Sequence, residues 1–249
     1  AALMPEIFDD FRLDSAILWM KRYMIRGKTN LAVAIGVDEL PGAENLSQRD
    51  RSRYCLAFAE FLLWYGQATM YAYQIDEALK LYDRVIGLVK EFYPDLASEE
   101  ILTKLSDFER WRLSLVLGRT YNNLGYSRWM YKGQYHLALQ DFQQAVRLFR
   151  MAGLEIKSLE EELANTNDNM GRVYAVVGSE FQAVQLIRRG LEMRKSLELT
   201  YRVALSTNSL ALALNRFGRV EQALKTVDAA LIPFRRTEVA RGIGLGLLT

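Results

Sequence analysis

The sequence predicts an all-α fold, a right-handed α–α superhelix built by stacking antiparallel helix pairs. Three observations carry that expectation. Strong helix formers are abundant, and the chain of 249 residues has only four prolines. Helix start and stop signals are legible along most of its length. An alanine-centred pattern returns four times in the same context, which is the mark of a repeat architecture. Half of the residues are hydrophobic, enough for a substantial core or for several small stacked ones. Gly/Pro/Asn/Asp clusters of the kind that punctuate many-stranded sheets are few.

In chain order, Pro5-Glu-Ile-Phe-Asp-Asp-Phe-Arg-Leu-Asp-Ser-Ala-Ile-Leu-Trp19 leads into a helix ending near Gly27. An irregular stretch containing Pro41-Gly42 is expected next, so residues 1–46 read as a helical lead-in. Ser47-Gln-Arg-Asp50 has the form of a capping box opening a helix to about Tyr73. Asp76 opens a second helix that ends near Tyr93-Pro94. Residues 98–105 leave room for one short extra helix. Ser106-x-x-Glu109 opens the next helix, to about Lys132, and Gly133 separates it from a helix at 134–151 that Gly153 ends. Ser158-x-x-Glu161 opens another, Gly178 ends it, and its partner spans about 180–197. A further pair covers roughly 199–217 and 220–234, with Gly218 between. Serine side chains satisfy orphan N–H groups at helix starts, and glycine takes the left-handed conformation at helix ends.

The repeat emerges when the chain is aligned on the alanine opening each second helix: Ala78, Ala138, Ala183 and Ala223. Five residues upstream stand Tyr73, Gly133, Gly178 and Gly218. Four downstream stand Tyr82, Phe142, Ile187 and Val227, and seven downstream Val85, Ala145, Gly190 and Ala230. A small residue lets two helices approach closely, the glycine makes the turn, and the bulky residue fills the groove.

This pattern resembles the tetratricopeptide repeat (TPR). The third unit matches it best, through Met170-Gly171, Tyr174, Gly178, Ala183, Ile187 and Gly190. The first keeps Gly66, Ala78 and Tyr82, with Tyr73 where the turn glycine belongs. The second keeps Gly133, Tyr135, Ala138, Phe142 and Ala145, but its first helix is longer, so Gly118 and Tyr121 fall two turns early. The fourth keeps Gly218, Ala223 and Ala230, with Pro233 near its end. Anchor spacings of 60, 45 and 40 residues exceed the family's usual ~34, so these are long-helix variants. The repeats are placed at about 47–93, 106–152, 158–197 and 199–236, with a truncated fifth from 238 whose apolar end could self-associate.

Residues 5–90 are also similar to the start of the repeat region in bacterial STAND-type signalling ATPases and related multidomain transcriptional regulators. The shared order is an acidic–Phe/Leu helix with Ala16-x-x-Trp19, and then a Trp64-containing first repeat. That resemblance implies the sensor or regulatory arm of a larger protein, acting in the cytoplasm. The start at Ala1 without a methionine fits an excised fragment.

Composition argues against several functions. The net charge is +2, and the runs Arg188-Arg189, Arg194-Lys195 and Arg235-Arg236 have acidic neighbours. They read as solvated faces rather than a phosphate-binding stripe, so no direct nucleic-acid binding is expected. Cys55 stands alone among apolar neighbours and reads as a buried structural thiol. One histidine, His136, is a poor basis for a metal site, and no cofactor is expected. There is no Gly-x-x-x-x-Gly-Lys phosphate loop. Gly242-Ile-Gly-Leu-Gly246 lacks the strand and spacing of a dinucleotide site, and Glu160-Glu161-Glu162 suits a helix start. No apolar run reaches the ~18 residues of a membrane span, so no membrane partner is expected. No catalytic constellation is visible, and the chain is not expected to be an enzyme.

What remains is the surface of the first helices. Asparagine is a poor helix-interior residue, yet Asn122, Asn123, Asn165, Asn167, Asn169, Asn208 and Asn215 all fall in first helices. In TPR arrays those helices line a concave groove. The candidate partner-binding residues are Asn122, Asn165, Asp168, Asn169, Arg172, Asn208, Asn215 and Arg216, and more weakly Gln67, Tyr71, Arg119, Ser127 and Tyr131. Amides grip an extended backbone through both donor and acceptor, and arginines add charge-assisted donors for a carboxylate. The partner expected is a peptide or protein. The alternatives are a small molecule in the same groove, and amides that only satisfy contacts between helices.

Overall fold

A computed structural model describes residues 4–94, 104–152 and 156–236. Ten α-helices run through them. They are α1 (Met4–Ile25), α2 (Thr29–Arg49), α3 (Arg51–Tyr71), α4 (Ile75–Phe92) and α5 (Asp107–Lys132), then α6 (Tyr135–Met151), α7 (Lys157–Val176), α8 (Glu180–Ser196), α9 (Thr200–Arg216) and α10 (Val220–Arg236). Among the described residues there is no strand. The fold is all-α, with antiparallel pairs following one another along the chain, as expected. The helices form two compact units, residues 1–131 and 132–249.

The turn between consecutive helices is one device used repeatedly. At Gly27, Tyr73, Gly178, Glu198 and Gly218 the backbone is left-handed. In each case the next N–H reaches back five residues to a carbonyl: Lys28 to Tyr23, Gln74 to Thr69, Ser179 to Tyr174, Leu199 to Arg194 and Arg219 to Leu214. That is the Schellman closure, and it caps the exposed carbonyls of the preceding helix. Tyr73 takes this strained conformation where Gly27, Gly178 and Gly218 stand in the other pairs, and Glu198 takes it between α8 and α9.

Close approach of the paired helices is set by glycine. A Cβ added at Gly171 would lie 2.5 Å from Ile187 Cγ1 and 2.9 Å from the Ala183 carbonyl oxygen. At Gly66 it would lie 2.7 Å from the Tyr82 ring. Both contacts join a first helix to the anchor alanine or the bulky residue one turn later, which is the packing the repeat pattern requires.

In the first unit, α1 packs on α2, both pack on α3, and α4 packs on α3. Tyr54, Phe61, Leu62 and Tyr82 fill the centre. Cys55 is buried there, and burial pushes its thiol up to about 12, so it stays protonated. In the second unit α6 to α10 pack in sequence, and α7 also touches α9. Ala175, Ala183, Ile187, Leu210, Leu214 and Ala223 form one buried cluster across its last four helices.

Two expectations are corrected. The stretch around Pro41-Gly42 is not irregular: α2 runs unbroken from Thr29 to Arg49 with Pro41 inside it. Tertiary burial outweighs the lost hydrogen bond there, because Ala32, Ala43 and Leu46 are core residues. Residues 1–46 thus hold nearly all of a further helix pair rather than a lead-in and a loop. Its register repeats the pattern, with Gly27 five residues before Ala32. Four residues beyond Ala32 the usual bulky side chain is replaced by Gly36, and the Tyr65 ring from α3 occupies the space where its Cβ would stand.

The capping boxes are the second correction. The box at Ser106 forms: its N–H donates to Glu109 Oε2 at 3.0 Å, and its Oγ accepts the Glu109 N–H at 3.3 Å. The Ser106 hydroxyl also donates to Glu109 Oε2 at 2.6 Å, and that bond, together with the one from the Ser106 N–H, holds the Glu109 carboxyl below its ordinary range. Ser47, by contrast, is buried inside α2, and Ser158 lies within the first turn of α7, whose N-cap is Ile156. Each helix boundary falls a residue or more from the serine, which puts the hydroxyl out of capping position. Gly153, the short helix over 98–105 except its last two residues, and the fifth unit from 238 lie outside the described residues.

The two kinds of glycine should respond differently to substitution. Gly178→Ala meets no atom within 4 Å and should cost about 1 kcal/mol from its positive φ alone. Gly171→Ala must displace backbone and should cost about 2–3 kcal/mol. Urea unfolding followed by circular dichroism measures both. Equal effects would contradict the packing described.

Candidate functional site

The first-helix stripe is best defined in the second unit, where α7 and α9 lie side by side. Four contacts between successive pairs connect residues about one repeat apart. Ser209 Oγ donates to Asp168 Oδ2 at 3.0 Å, 41 residues away. Arg216 Nη2 donates to the Val176 carbonyl at 3.4 Å, 40 residues away. Arg219 Nε donates to Glu180 at 3.1 Å, 39 residues away. Arg202 pairs with Glu161 at 3.4 Å. The anchor alanines Ala183 and Ala223 are 40 apart, so the pairs stack in register.

Beneath the stripe runs a buried polar seam organised by Arg194 of α8, which sequence reasoning read only as part of a solvated charge run. Its side chain is 2% exposed. It donates to Asn165 Oδ1 at 3.2 Å, to the Arg202 carbonyl at 3.3 Å and to the Ser206 hydroxyl. Burial pushes its guanidinium below the ordinary arginine value, and the Asp168 carboxylate opposes that shift. Asp168 Oδ1 and Arg194 Nε are buried without a hydrogen-bond partner. Arg194 sits in the last turn of α8, where its carbonyl closes the Glu198 turn just before α9 begins, and no sequence signal marks that position.

The predicted residues separate by depth. Asp168, Asn169 and Asn208 are buried in the second unit, and Asn122 is buried in the first. Asn165 and Arg172 are half-buried, while Asn215 and Arg216 are exposed. Of the predicted residues on α7 and α9, those nearest to solvent are therefore Asn165, Arg172, Asn215 and Arg216. The buried amides and carboxylate lie on the sides of the same helices that face neighbouring elements.

In the first unit the matching stripe runs along α3 and α5. Trp64 carries two cations over its ring, Lys21 at 4.4 Å and Arg119 at 5.5 Å. Glu60 accepts from Lys21 at 3.4 Å and pairs with Arg112 at 3.3 Å. A cavity of about 300 Å³ opens beside these groups, bounded by Glu60, Arg112, Arg119 and the Phe108–Trp111 ring pair. Further along, the Tyr73 and Tyr131 rings meet edge-on at 6.3 Å, and Tyr126 lies 6.4 Å from Tyr131. Gln67 Nε2 donates to the Tyr71 hydroxyl at 3.4 Å.

His136 is exposed beside Gln140, as expected of a surface residue. Among the described residues no cluster of His, Cys, Asp or Glu could hold a metal, and no helix is long and apolar enough to cross a membrane.

This geometry defines a TPR-like helical repeat fold, and solved structures agree. The chain is similar to a Podosopora anserina structure described as a kinesin light chain of nearly identical TPR-like repeats. The two share 17% identity over 93% of this chain and 99% of that one, with a TM-score of 0.59. Apo RapI gives a TM-score of 0.66 at 12% identity, over 91% of this chain and 71% of that one. BtubC (BKLC) from P. vanneervenii gives 0.58 at 15% identity, over 96% and 93%. At these identities the likeness shows the fold. No family model and no curated relative matches the chain.

The seam accounts for why α7, α8 and α9 share one register. Replacing Arg194 by Ala should cost about 3–5 kcal/mol, since Asp168 is left buried without its counter-charge. Arg194→Met, which keeps most of the volume, should cost clearly less when paired with Asp168→Asn. Thermal unfolding of the single and double variants measures this. An Arg194→Ala protein as stable as the parent would show the seam to be energetically idle.

Proposed function

We propose that this chain is a regulatory binding arm that takes a peptide or protein partner along its first-helix stripe. The observation that carries the reading is the in-register placement of α7 and α9, linked by Ser209 and Asp168. It sets Asn165, Arg172, Asn215 and Arg216 on adjacent helices at the accessible edge of a rigid polar layer. Asp168, Asn169 and Asn208 hold that layer in place. Asn122 plays the corresponding part on α5. Amides and guanidiniums there can meet the backbone and carboxylates of an extended segment.

The resemblance of residues 5–90 to STAND-type regulators supports placing the arm in a larger bacterial signalling or transcription-regulating protein of the cytoplasm. Partner binding would then favour one state of the array and shift the population of the attached domains. No role in catalysis is assigned to it. A second reading has one observation in its favour: the cavity beside Arg112 and Trp111 lies at the small end of the size range of small-molecule sites.

Peptide display selected on the full chain tests the primary reading. Selected peptides should bind the parent protein and lose at least tenfold affinity to an Arg172→Ala/Asn215→Ala/Arg216→Ala variant of unchanged helicity. Unaltered binding would contradict the assignment of the stripe. Loss with Arg112→Ala alone would favour the cavity.

A further inference from the structure

A second surface in the unit of residues 132–249 has a different chemistry. Between the two second helices α6 and α8, with α7 as floor, lies a groove of about 570 Å³. Its floor is formed by Met170 and Asn167, both buried, with Val146, Met151 and Leu186 on its walls. Three arginines rim it: Arg147 and Arg150 from α6 and Arg189 from α8. All three are exposed, and among the described residues no carboxylate lines the groove.

This groove is distinct from the first-helix stripe. Successive residues of an α-helix are rotated by ~100°. Asn167 and Met170 therefore lie roughly 200° from Asn165 and Asp168, on the other side of α7. The groove also absorbs a feature that the sequence reading left as a solvated run, Arg188-Arg189. The acidic neighbour of that run is engaged elsewhere: Glu192 holds Lys195 at 2.8 Å.

Three like charges round one opening repel one another, and an opposite charge from outside would relieve that repulsion. Guanidiniums receive carboxylates bidentately. Methionine walls adapt to varied apolar side chains. The volume is enough for a few side chains rather than for a flat surface contact.

We propose that the α6–α8 groove docks an acidic peptide segment of a protein partner. An apolar side chain of that segment packs against Met170, Met151, Val146 and Leu186, and its flanking Asp or Glu carboxylates meet Arg147, Arg150 and Arg189. A nucleic-acid backbone fits less well. It would meet the arginines and leave Met170, Met151, Val146 and Leu186 uncovered, and phosphate binding favours a longer basic stripe than three residues on a chain of net charge +2. This site stands apart from the proposed peptide stripe, so either can fail alone.

The test uses fluorescence anisotropy on the full chain with three probes. The first is a pool of labelled 12-residue peptides with Leu, Met or Phe set between Asp and Glu. The second is the same pool with Asn and Gln in place of the acids. The third is a 12-nucleotide oligo-dT. The acidic pool should bind at least tenfold more tightly than the amide pool. Arg147→Ala/Arg189→Ala, both surface changes, should lose at least tenfold of that affinity. Arg172→Ala/Asn215→Ala/Arg216→Ala should lose none of it. Absence of binding by the acidic pool, binding unchanged in the Arg147/Arg189 variant, or equal binding of oligo-dT would each overturn the proposal.

Discussion

The structure depends on how closely the two helices of a pair approach. At Gly171 there is no room for a methyl group between the first helix and the Ala183 carbonyl, and at Gly66 none against the Tyr82 ring. Once a pair closes at that distance, its outer faces are fixed in rotation. The next pair can then seat in only one register, and each repeat depends on its neighbours. The contacts from Asp168 to Ser209 and from Val176 to Arg216 follow from that stacking. So does the polar seam, since Arg194 reaches Asn165 on one first helix and Ser206 on the next.

The seam explains why so many helix-unfriendly amides occupy first helices. A stack joined by apolar contacts alone could slide by a turn at little cost. Buried hydrogen bonds between particular partners penalise such a slip, because each broken bond leaves a desolvated group. The polar residues of α7 and α9 thus lie at two depths. The inner ones set register, and the outer ones are those the proposed function assigns to a partner.

The helix pairs from about residue 47 onward were legible in the sequence because turn, anchor and groove residues recur at fixed offsets. The first pair was not, although Gly27 and Ala32 keep the same offset. Pro41-Gly42 read locally as a helix break, and at Gly36 the bulky residue of the pattern is supplied from another helix by Tyr65. Local signals carry no information about a partner far along the chain. Capping at Ser47 and Ser158 misled for a similar reason, because packing set those helix boundaries. The candidate stripe was legible as residue types on particular helices. Its depth was not: helical spacing places Asn169 and Arg172 nearly on one face, and the neighbouring helices decide that the first is buried and the second half-exposed. Arg194 and the arginine-rimmed groove were invisible for the same reason, since neighbouring helices decide which second-helix arginine is buried and which ones rim an opening.

The central claim is that α7 and α9 are locked side by side through their polar faces. A double-mutant cycle on Asp168 and Ser209, using Asp168→Ala and Ser209→Ala and followed by urea unfolding, measures that link directly. The stacking described requires the two changes to be non-additive by about 1 kcal/mol, because either one alone disrupts the shared bond. Strict additivity would contradict it, since residues 41 positions apart that do not couple are not held in this register.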